Sequence, residues 1–536
     1  MIAEHEKPPV RASLKGTPFP TVRRVFPWLL LFLACLHIAG LNGFWWHTPD
    51  SALYLALARS LAEDGVYEWN LRPHTYVWPG FPGLLAVLRA MGIRSFLALN
   101  SVIAVFALAC VGIACPLYQC VFGSQKKAAV ALLLFGTSAS LFYYSRYILT
   151  DVPFTFLVLC GLYCGLQMNQ GSGRRSWLWT AAAALVVGLG VFVRPPGPLL
   201  GAALVAGLWL RRGSTTRWRT RLLKTTLLVL PALVAWSLWM YRCAAVTEGP
   251  PGSYYQTFFR AARTERYFSY FIHRAGQTLD FLGRTVGGAD LDELGGVVLL
   301  AVALVGVAEC LRRGRWEITL FGVFYAIGLF RAAPTRRYLL PILPIILIWL
   351  LEGSDVIAGY MLEKMGWVTE KRLRVTAYVM LGGFLTANLY EVTSVILEAR
   401  SPRFYQEYKD GALVHHRALA AWLEGNAAPA STVLAHRHRL LHYLTGLETW
   451  RASRRYIRRL APDPASALVK AKVGYVVINS DEPDHQPDIK RLILRRPGLF
   501  ERIGKFGSLD LYGVRLEAIR QEGVMGPQKG AVAGSQ

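Results

Sequence analysis

Long apolar runs, nearly free of charge, alternate with short polar segments from Trp28 to Leu397. A helix needs about 20 apolar residues to cross the hydrocarbon core of a membrane, and most runs approach that length. The pattern predicts about eleven spanning helices, at approximately 27–44, 96–122, 128–143, 152–169, 177–193, 197–210, 222–241, 296–311, 318–331, 338–352 and 375–397. Three of the runs, those at 128–143, 197–210 and 318–331, are short for a span.

The composition agrees with a membrane protein. Of the 536 residues, 53% are hydrophobic and 17% are charged, whereas soluble domains contain about 25% charged residues. The net charge of +25 would fit nucleic-acid binding, but the basic residues cluster in short loops between apolar runs. The positive-inside rule explains that placement, so nucleic acid is not expected as a partner. The eight cysteines lie in or beside apolar runs without a CxxC pair, which favours neither a disulfide framework nor a zinc site.

The basic loops also predict the orientation of the chain. Arg11, Lys15, Arg23 and Arg24 precede the first apolar run, which is interpreted as a retained signal anchor, and they place residues 1–26 in the cytoplasm. Five further basic loops agree, at Lys126/Lys127, Arg174/Arg175, 211–224, Arg312/Arg313/Arg315 and Lys371/Arg372/Arg374. With an odd number of spans, the transmembrane region 27–397 is followed by an extracytoplasmic domain, 398–516. The polar tail 517–536 is predicted to be disordered.

Two polar regions outside the spans have their own patterns. In the first outer loop, 45–95, apolar residues at helical spacing predict short amphipathic helices at 51–64 and 82–91 that lie at the membrane surface. The C-terminal domain is predicted to be a small α/β unit. Its expected elements are a helix at 412–424, a basic helix around 451–471, and strands at 432–434, 475–478 and 509–514.

Two acidic residues lie at the predicted outer ends of spans. Asp50 directly follows the first span, where it could cap the helix predicted from Ser51. It could also face a wet cavity at the membrane boundary, and the two roles are compatible. Asp151 begins a later span, where it could cap that helix or pair with Arg146 in the same short loop.

Several arginines break the positive-inside pattern because they lie in predicted outer loops: Arg146, Arg194, Arg331, Arg336 and Arg337. A solvated loop end explains any one of them, but the set favours a phosphate-bearing partner, which guanidinium groups bind in a bidentate manner. His47 and His74 share the first loop with Asp50 without strict metal-ligand spacing, so a divalent metal requirement stays open. His436, His438 and His442 are interpreted as part of a surface stretch.

Five sequence pieces taken together resemble a known superfamily. They are Asp50-Ser-x-x-Tyr54 with Gly65-x-Tyr67, then Pro79-Gly-Phe-Pro82, Ser145-Arg-Tyr-Ile-Leu-Thr-Asp151, Arg194-Pro, and Arg337-Tyr-x-x-Pro341-x-x-Pro344. Their order over about residues 27–350 resembles bacterial GT-C glycosyltransferases related to dolichyl-phosphate-mannose protein mannosyltransferases and aminoarabinose transferases. The resemblance implies a mainly α, polytopic GT-C fold with a small α/β extracytoplasmic domain.

The resemblance also implies an activity. Such enzymes transfer a sugar, with inversion, from a polyprenyl-phosphate carrier to a lipid, glycan or protein acceptor at the outer face of the plasma (inner) membrane. Asp50 matches the residue that acts as the general base or orients the acceptor. Asp151 matches the second acidic position, which would assist in positioning the acceptor or the loop. Arg146, Arg194, Arg336 and Arg337 would hold the donor phosphate. The implied cavity is lined by Tyr54, His74, Trp78 and Tyr338.

The chain departs from its relatives at two positions. Ser51 follows the first aspartate where many relatives have glutamate, and Trp78 replaces a lysine of the aminoarabinose transferases, which disfavours an aminoarabinose donor. The WWDYG signature of oligosaccharyltransferases is missing. A transporter or lipid flippase and a non-catalytic envelope-assembly protein are the alternatives. The sequence shows neither the internal half-repeat nor the midplane charges that are typical of transporters.

Overall fold

The computed structural model describes residues 20–211, 217–246, five residues between 276 and 283, 293–331, 335–365, 369–401, 412–428, 430–452, 464–480 and 486–519. The first part of the chain is helical. Its helices are α1 (Pro20–Gly40), α2 (Pro49–Glu63), α3 (Gly80–Ala90), α4 (Phe96–Phe122), α5 (Gln125–Gly136), α6 (Ala139–Tyr144), α7 (Asp151–Gln170), α8 (Gly173–Val193), α9 (Gly197–Leu210), α10 (Trp218–Val246), α11 (Glu293–Arg312), α12 (Trp316–Arg331), α13 (Arg336–Leu339), α14 (Leu343–Lys364) and α15 (Glu370–Arg400).

The protein is a multi-pass membrane protein. In the described part of the chain, seven helices are long and apolar enough to cross a membrane, and α1, α3, α9 and α12 contain shorter apolar helices. Helices occur at all eleven predicted spans, while the number that cross the bilayer stays a prediction. The predicted span 128–143 is divided, because α5 ends at Gly136 and α6 begins at Ala139. The Asn388 side chain of α15 accepts the Ala139 N–H at 2.9 Å, which compensates for the interrupted helix.

Small residues allow the central helices to approach closely. An added Cβ at Gly161 of α7 would lie 2.6 Å from the Leu200 side chain of α9, and one at Gly165 would collide with Leu204. At the crossing of α11 and α14, a Cβ at Gly306 would collide with the backbone of Trp349. In lipid, where helices gain no hydrophobic free energy by associating, such close contact supplies much of the packing energy.

The first loop carries the two short helices that the sequence predicts, α2 and α3, joined through a small antiparallel pair, β1 (Glu68–Trp69) and β2 (Arg72–Pro73). The C-terminal unit contains a five-stranded sheet in the order β4-β3-β5-β7-β6. Strands β4, β3 and β5 are parallel, and β7 and β6 are antiparallel to their neighbours. The elements are α16 (Ala412–Asn426), β3 (Thr432–Ala435), α17 (His438–Thr445), β4 (Glu448–Arg451), α18 (Pro464–Lys470), β5 (Val473–Asn479), α19 (Pro487–Arg495), β6 (Phe500–Phe506) and β7 (Leu509–Val514).

The fold class is therefore as predicted, and three strands lie where the sequence places them. Strands β4 and β6 were not predicted. The basic helix expected at 451–471 is present only as α18, since Arg451 ends a strand and 453–463 lie outside the described residues. The predicted tail, 517–536, also lies largely outside them.

One asparagine joins the first loop to the C-terminal unit. Asn70 is buried, with a φ of 62°, a backbone conformation that asparagine adopts more readily than most residues. Its side chain donates to the Thr449 carbonyl at 2.6 Å and accepts the Thr449 N–H at 2.7 Å. Its own N–H donates to His442 Nε2 at 3.2 Å. This Asn70 contact fixes α17 against the loop.

We expect Asn70→Ala to destabilise the contact between the loop and the C-terminal unit. The substitution leaves the buried N–H and C=O of Thr449 without partners, at a cost of about 1–3 kcal/mol for each group. Limited proteolysis and the thermal unfolding midpoint in detergent would measure the change. Asn426→Ala, at an exposed end of α16, is the matched control. Equal protease resistance of Asn70→Ala and the wild type would contradict this role.

His442 belongs to the same contact and is buried, so its interpretation as part of a surface stretch is wrong. Its Nδ1 lies 2.7 Å from the Leu447 carbonyl, and its Nε2 accepts from Asn70, so the ring fits as the neutral Nδ1–H form. Burial lowers the pKa of His442 to about 4, with Arg59 adding to the effect, while the Leu447 hydrogen bond and Glu448 oppose it.

This lowered pKa predicts destabilisation in acid. The unfolded chain, with an ordinary histidine pKa of about 6.5, binds the proton more readily than the folded chain. Stability therefore falls as the pH drops from about 6.5 towards 4 and levels off below. His442→Gln, which keeps a donor and an acceptor, should flatten the dependence of the unfolding midpoint on pH. An unchanged slope would contradict the assignment.

Candidate functional site

A cavity of about 480 Å³ opens where α2, the α8–α9 turn, α12, α13 and α17 meet. Its lining combines aromatic and aliphatic side chains with two aspartates and three arginines. The charged and aromatic members are Asp50, Asp151, Arg194, Arg337, Arg439, Tyr54, Tyr76, Trp78, Phe324, Tyr325 and Tyr338. Polar groups that converge in a largely apolar pocket are typical of a ligand site.

Asp50 lies in the first turn of α2 but does not cap it. The cap is Thr48, whose side chain accepts the Ser51 N–H at 3.0 Å, while the Ser51 hydroxyl accepts the Thr48 N–H at 2.9 Å. The capping interpretation of Asp50 is therefore wrong. Since Ser51 completes this capping box, the carboxylate of Asp50 is left for the cavity.

Two arginines from distant parts of the chain hold the Asp50 carboxylate. Arg337 Nη2 donates to Oδ2 at 2.6 Å, and Arg439 Nη1 donates to Oδ1 at 2.9 Å. Burial alone would raise the pKa of Asp50, but the charges and hydrogen bonds of the two guanidinium groups outweigh it and hold the pKa below its ordinary value. Asp50 is ionised at neutral pH, and its side chain stays 31% exposed.

Asp151 forms a second ion pair at the base of the cavity. Its Oδ1 lies 2.8 Å from Arg194 Nη1, and the two side chains are 2% and 11% exposed. The partner of Asp151 is thus Arg194 and not the neighbouring Arg146. Burial alone would lower the pKa of Arg194, but Asp151 raises it above its ordinary value, so the guanidinium stays charged. It also lies 5.1 Å from the ring centre of Tyr338.

Aromatic side chains form the remaining wall near the charges. Tyr54 stands one helical turn after Asp50 on α2 and packs edge-on against Phe81 of α3. Trp78 is held between the loop and α10, where its ring lies 5.5 Å from that of Trp236 and 5.6 Å from that of Trp239. Aromatic faces beside hydrogen-bonding groups suit a ligand with apolar and polar faces, such as a pyranose ring.

Three predicted site residues do not line this cavity. His74 accepts the Val77 N–H at 3.0 Å through Nε2, and so shapes the loop that carries Trp78. Arg146 is buried with its guanidinium 4.0 Å from the ring centre of Trp46. Arg336 precedes Arg337 on α13 but is not part of the wall. In the segments that the structure describes, no three His, Cys, Asp or Glu side chains gather as metal ligands.

Sequence reasoning missed Arg439. It is separated from Asp50 by 389 positions and lies in a tail with many basic residues, so no local signal distinguishes it. Its role depends on how the C-terminal unit packs on α2. Asp50, Asp151, Arg194, Arg337, Tyr54, Trp78 and Tyr338, which the sequence singled out, do share the cavity.

Comparisons with known proteins agree with the fold. Residues 84–250 match the family model described as dolichyl-phosphate-mannose-protein mannosyltransferase. ArnT from Cupriavidus metallidurans bound to undecaprenyl phosphate has a TM-score of 0.57 at 12% identity, over 92% of this chain and 98% of that chain. The oligosaccharyltransferase AglB from Archaeoglobus fulgidus, in complex with an inhibitory peptide and a dolichol-phosphate, has a TM-score of 0.56 at 11% identity. The match covers 86% of this chain and 70% of that chain. No curated protein matches the sequence.

A third solved structure has the same architecture. The arabinofuranosyltransferase AftD from Mycobacteria has a TM-score of 0.51 at 14% identity, over 92% of this chain and 41% of that one. At such identities the likeness concerns the fold. The resemblance to the GT-C superfamily is confirmed.

Proposed function

We propose that this chain, which has the GT-C fold, is a membrane glycosyltransferase that moves a sugar from a polyprenyl-phosphate carrier to an acceptor hydroxyl. The observation that carries the proposal is the ionised Asp50 carboxylate in a cavity with three arginines. The acceptor would be a lipid, a glycan or a protein. The cavity would lie at the outer face of the plasma membrane, with the N-terminus in the cytoplasm, an orientation that the positive-inside pattern supports.

The charges of the cavity suit a phosphate-linked donor. Three guanidinium groups face two carboxylates, which leaves one net positive charge. A sugar phosphodiester carries one negative charge, so its entry neutralises the site. Guanidinium groups hold phosphate oxygens in bidentate pairs and stabilise the negative charge on the departing phosphate.

The apolar part of the lining offers a path for the prenyl chain. Leu199 of α9 and Ile327 and Leu329 of α12 also line the cavity, and Ile327 is 59% exposed. A lipid tail could therefore enter sideways from the bilayer. The ArnT and AglB structures, bound to undecaprenyl phosphate and to a dolichol-phosphate respectively, support this class of donor.

The proposed reaction uses Asp50 as the general base. The carboxylate accepts the proton of the acceptor hydroxyl while the oxygen attacks the anomeric carbon on the side opposite the phosphate. The bond between the anomeric carbon and the phosphate oxygen breaks, and its electron pair leaves with the polyprenyl phosphate. One displacement of this kind inverts the anomeric configuration. Asp151 holds Arg194 in position beside the leaving phosphate.

The same charges favour a neutral sugar. Both cavity carboxylates are paired with arginine, so the ammonium group of an amino sugar would have to compete with a guanidinium group for either one. Trp78 adds a flat apolar surface in the position where aminoarabinose transferases have lysine.

The proposal can be tested in a strain that lacks the gene. Mass spectrometry of its envelope lipids, glycans and secreted proteins should show one missing sugar unit, which the wild-type gene restores and an Asp50→Asn gene does not. If the protein were a flippase, its loss would leave finished donor on the inner leaflet, and the Asp50→Asn gene would still restore the sugar. Restoration by the Asp50→Asn gene would refute the role of Asp50 as the general base. An unchanged sugar profile in the deletion strain would refute the proposal that the protein is a glycosyltransferase.

A further inference from the structure

Of the described residues of the C-terminal unit, only Arg439 contributes to the lining of the cavity. It lies in the first turn of α17, a helix whose backbone is fixed on both sides of the arginine. The Thr449 hydroxyl donates to the His438 carbonyl at 2.8 Å, and Arg59 of α2 donates to the Tyr443 carbonyl at 2.9 Å. The fold thus holds the backbone of Arg439 above Asp50, while its side chain is still 27% exposed.

The two arginine contacts of Asp50 weaken it as a general base. Both oxygens of Asp50 accept charge-assisted hydrogen bonds, one from Arg337 and one from Arg439. Each contact stabilises the ionised carboxylate, so the affinity of Asp50 for a proton is low. Departure of one of the two arginines would raise that affinity and make Asp50 a stronger base.

The donor provides a reason for the arginine to leave. A phosphodiester presents two terminal oxygens that share one negative charge, as a carboxylate does. The space between the two guanidinium groups, which Asp50 occupies, therefore suits a phosphate equally well. Arg337 is also tied to its own helix, because its Nη2 lies 3.1 Å from the Tyr338 hydroxyl. No such second contact of the Arg439 guanidinium is seen among the described residues, which makes it the more readily exchanged partner.

We infer that Arg439 is a donor-binding residue supplied by the C-terminal unit, which exchanges its contact with Asp50 for the carrier phosphate when the donor binds. This inference rests on the proposed function. It makes donor binding the event that frees the base, so the donor binds productively before the acceptor. It also gives the C-terminal unit a direct part in the chemistry.

The test measures binding of undecaprenyl phosphate to the purified full-length protein in detergent, together with donor KM and kcat. Arg439→Ala should bind the carrier phosphate about 10- to 100-fold more weakly, the usual effect of losing one charged hydrogen bond. Arg439→Lys should recover part of the affinity, because lysine keeps the positive charge. The recovery should be incomplete because lysine cannot form the bidentate hydrogen bonds of a guanidinium group. Arg491→Ala, on the exposed face of α19, is the control and should bind normally.

A second readout separates binding from a purely structural role. Since Arg439 helps to hold the pKa of Asp50 low, its removal should move the acid limb of the kcat/KM profile to higher pH. Arg491→Ala, which leaves the contact between Arg439 and Asp50 intact, should not reproduce that shift. If the wild type binds undecaprenyl phosphate and Arg439→Ala binds it equally well, the inference is overturned and the proposed function stands. If the wild type neither binds the carrier nor transfers a sugar, the proposed function itself fails.

Discussion

Asp50→Asn should abolish glycosyl transfer while the protein still folds and enters the membrane. Asparagine keeps the size of the side chain but cannot accept a proton, and loss of a general base lowers the rate by about 10²- to 10⁴-fold. Thr48 and Ser51, not Asp50, cap α2, so the helix loses little stability. The measurement is kcat with saturating donor, alongside expression level and the thermal unfolding midpoint in detergent.

Asp64→Asn is the matched control, because Asp64 lies at the other end of the same helix and is exposed. It contributes only its backbone N–H to the cap, so this variant should transfer sugar at the wild-type rate. Wild-type activity of Asp50→Asn would show that Asp50 is not the general base. Loss of activity in both variants would indicate damage to α2.

Arg337→Ala should produce the second largest loss, with kcat/KM reduced by about 10²- to 10³-fold, as when a preorganised donor to a developing negative charge is removed. The substitution removes a guanidinium from the cavity and also the hydrogen bond that orients Asp50. Arg337→Lys should stay well below the wild type, because lysine cannot reproduce the planar fork. Steady-state kinetics at several donor concentrations would measure both effects.

Arg336→Ala provides the comparison for Arg337. The two arginines are adjacent on α13, but only Arg337 reaches the wall of the cavity, so the loss at Arg336 should be much smaller. Equal losses at both positions would mean that this part of the chain acts through its overall positive charge and that the contact with Asp50 is incidental.

The parts that the sequence could predict are those that depend on local patterns. Apolar runs of membrane length predict spanning helices, and all eleven coincide with helices in the structure. Helical spacing in the first loop predicts α2 and α3. Asp50, Arg194 and Arg337 can be singled out because a charged side chain at the membrane boundary costs free energy and therefore tends to have a function.

Other features depend on contacts that no local pattern encodes. The pairing of Asp151 with Arg194, instead of the nearby Arg146, follows from how α7 and α8 pack together. Threonine and aspartate both cap helices well, so the sequence alone does not show which of Thr48 and Asp50 caps α2. The geometry of the first turn of the helix decides it. Arg439 approaches Asp50 because long-range contacts, among them those of Asn70 with His442 and Thr449, hold the C-terminal unit against the loop.

The central claim is that Asp50, among its arginines, deprotonates an acceptor while a sugar leaves its lipid phosphate. The most direct measurement incubates the purified protein with polyprenyl-phosphate sugars and acceptors extracted from the envelope of the source cells. Free polyprenyl phosphate and the configuration of the new glycosidic bond are then determined. The account predicts carrier release with an inverted anomeric centre for the wild type and neither product for Asp50→Asn. Equal carrier release by both proteins, or a retained configuration, would contradict it.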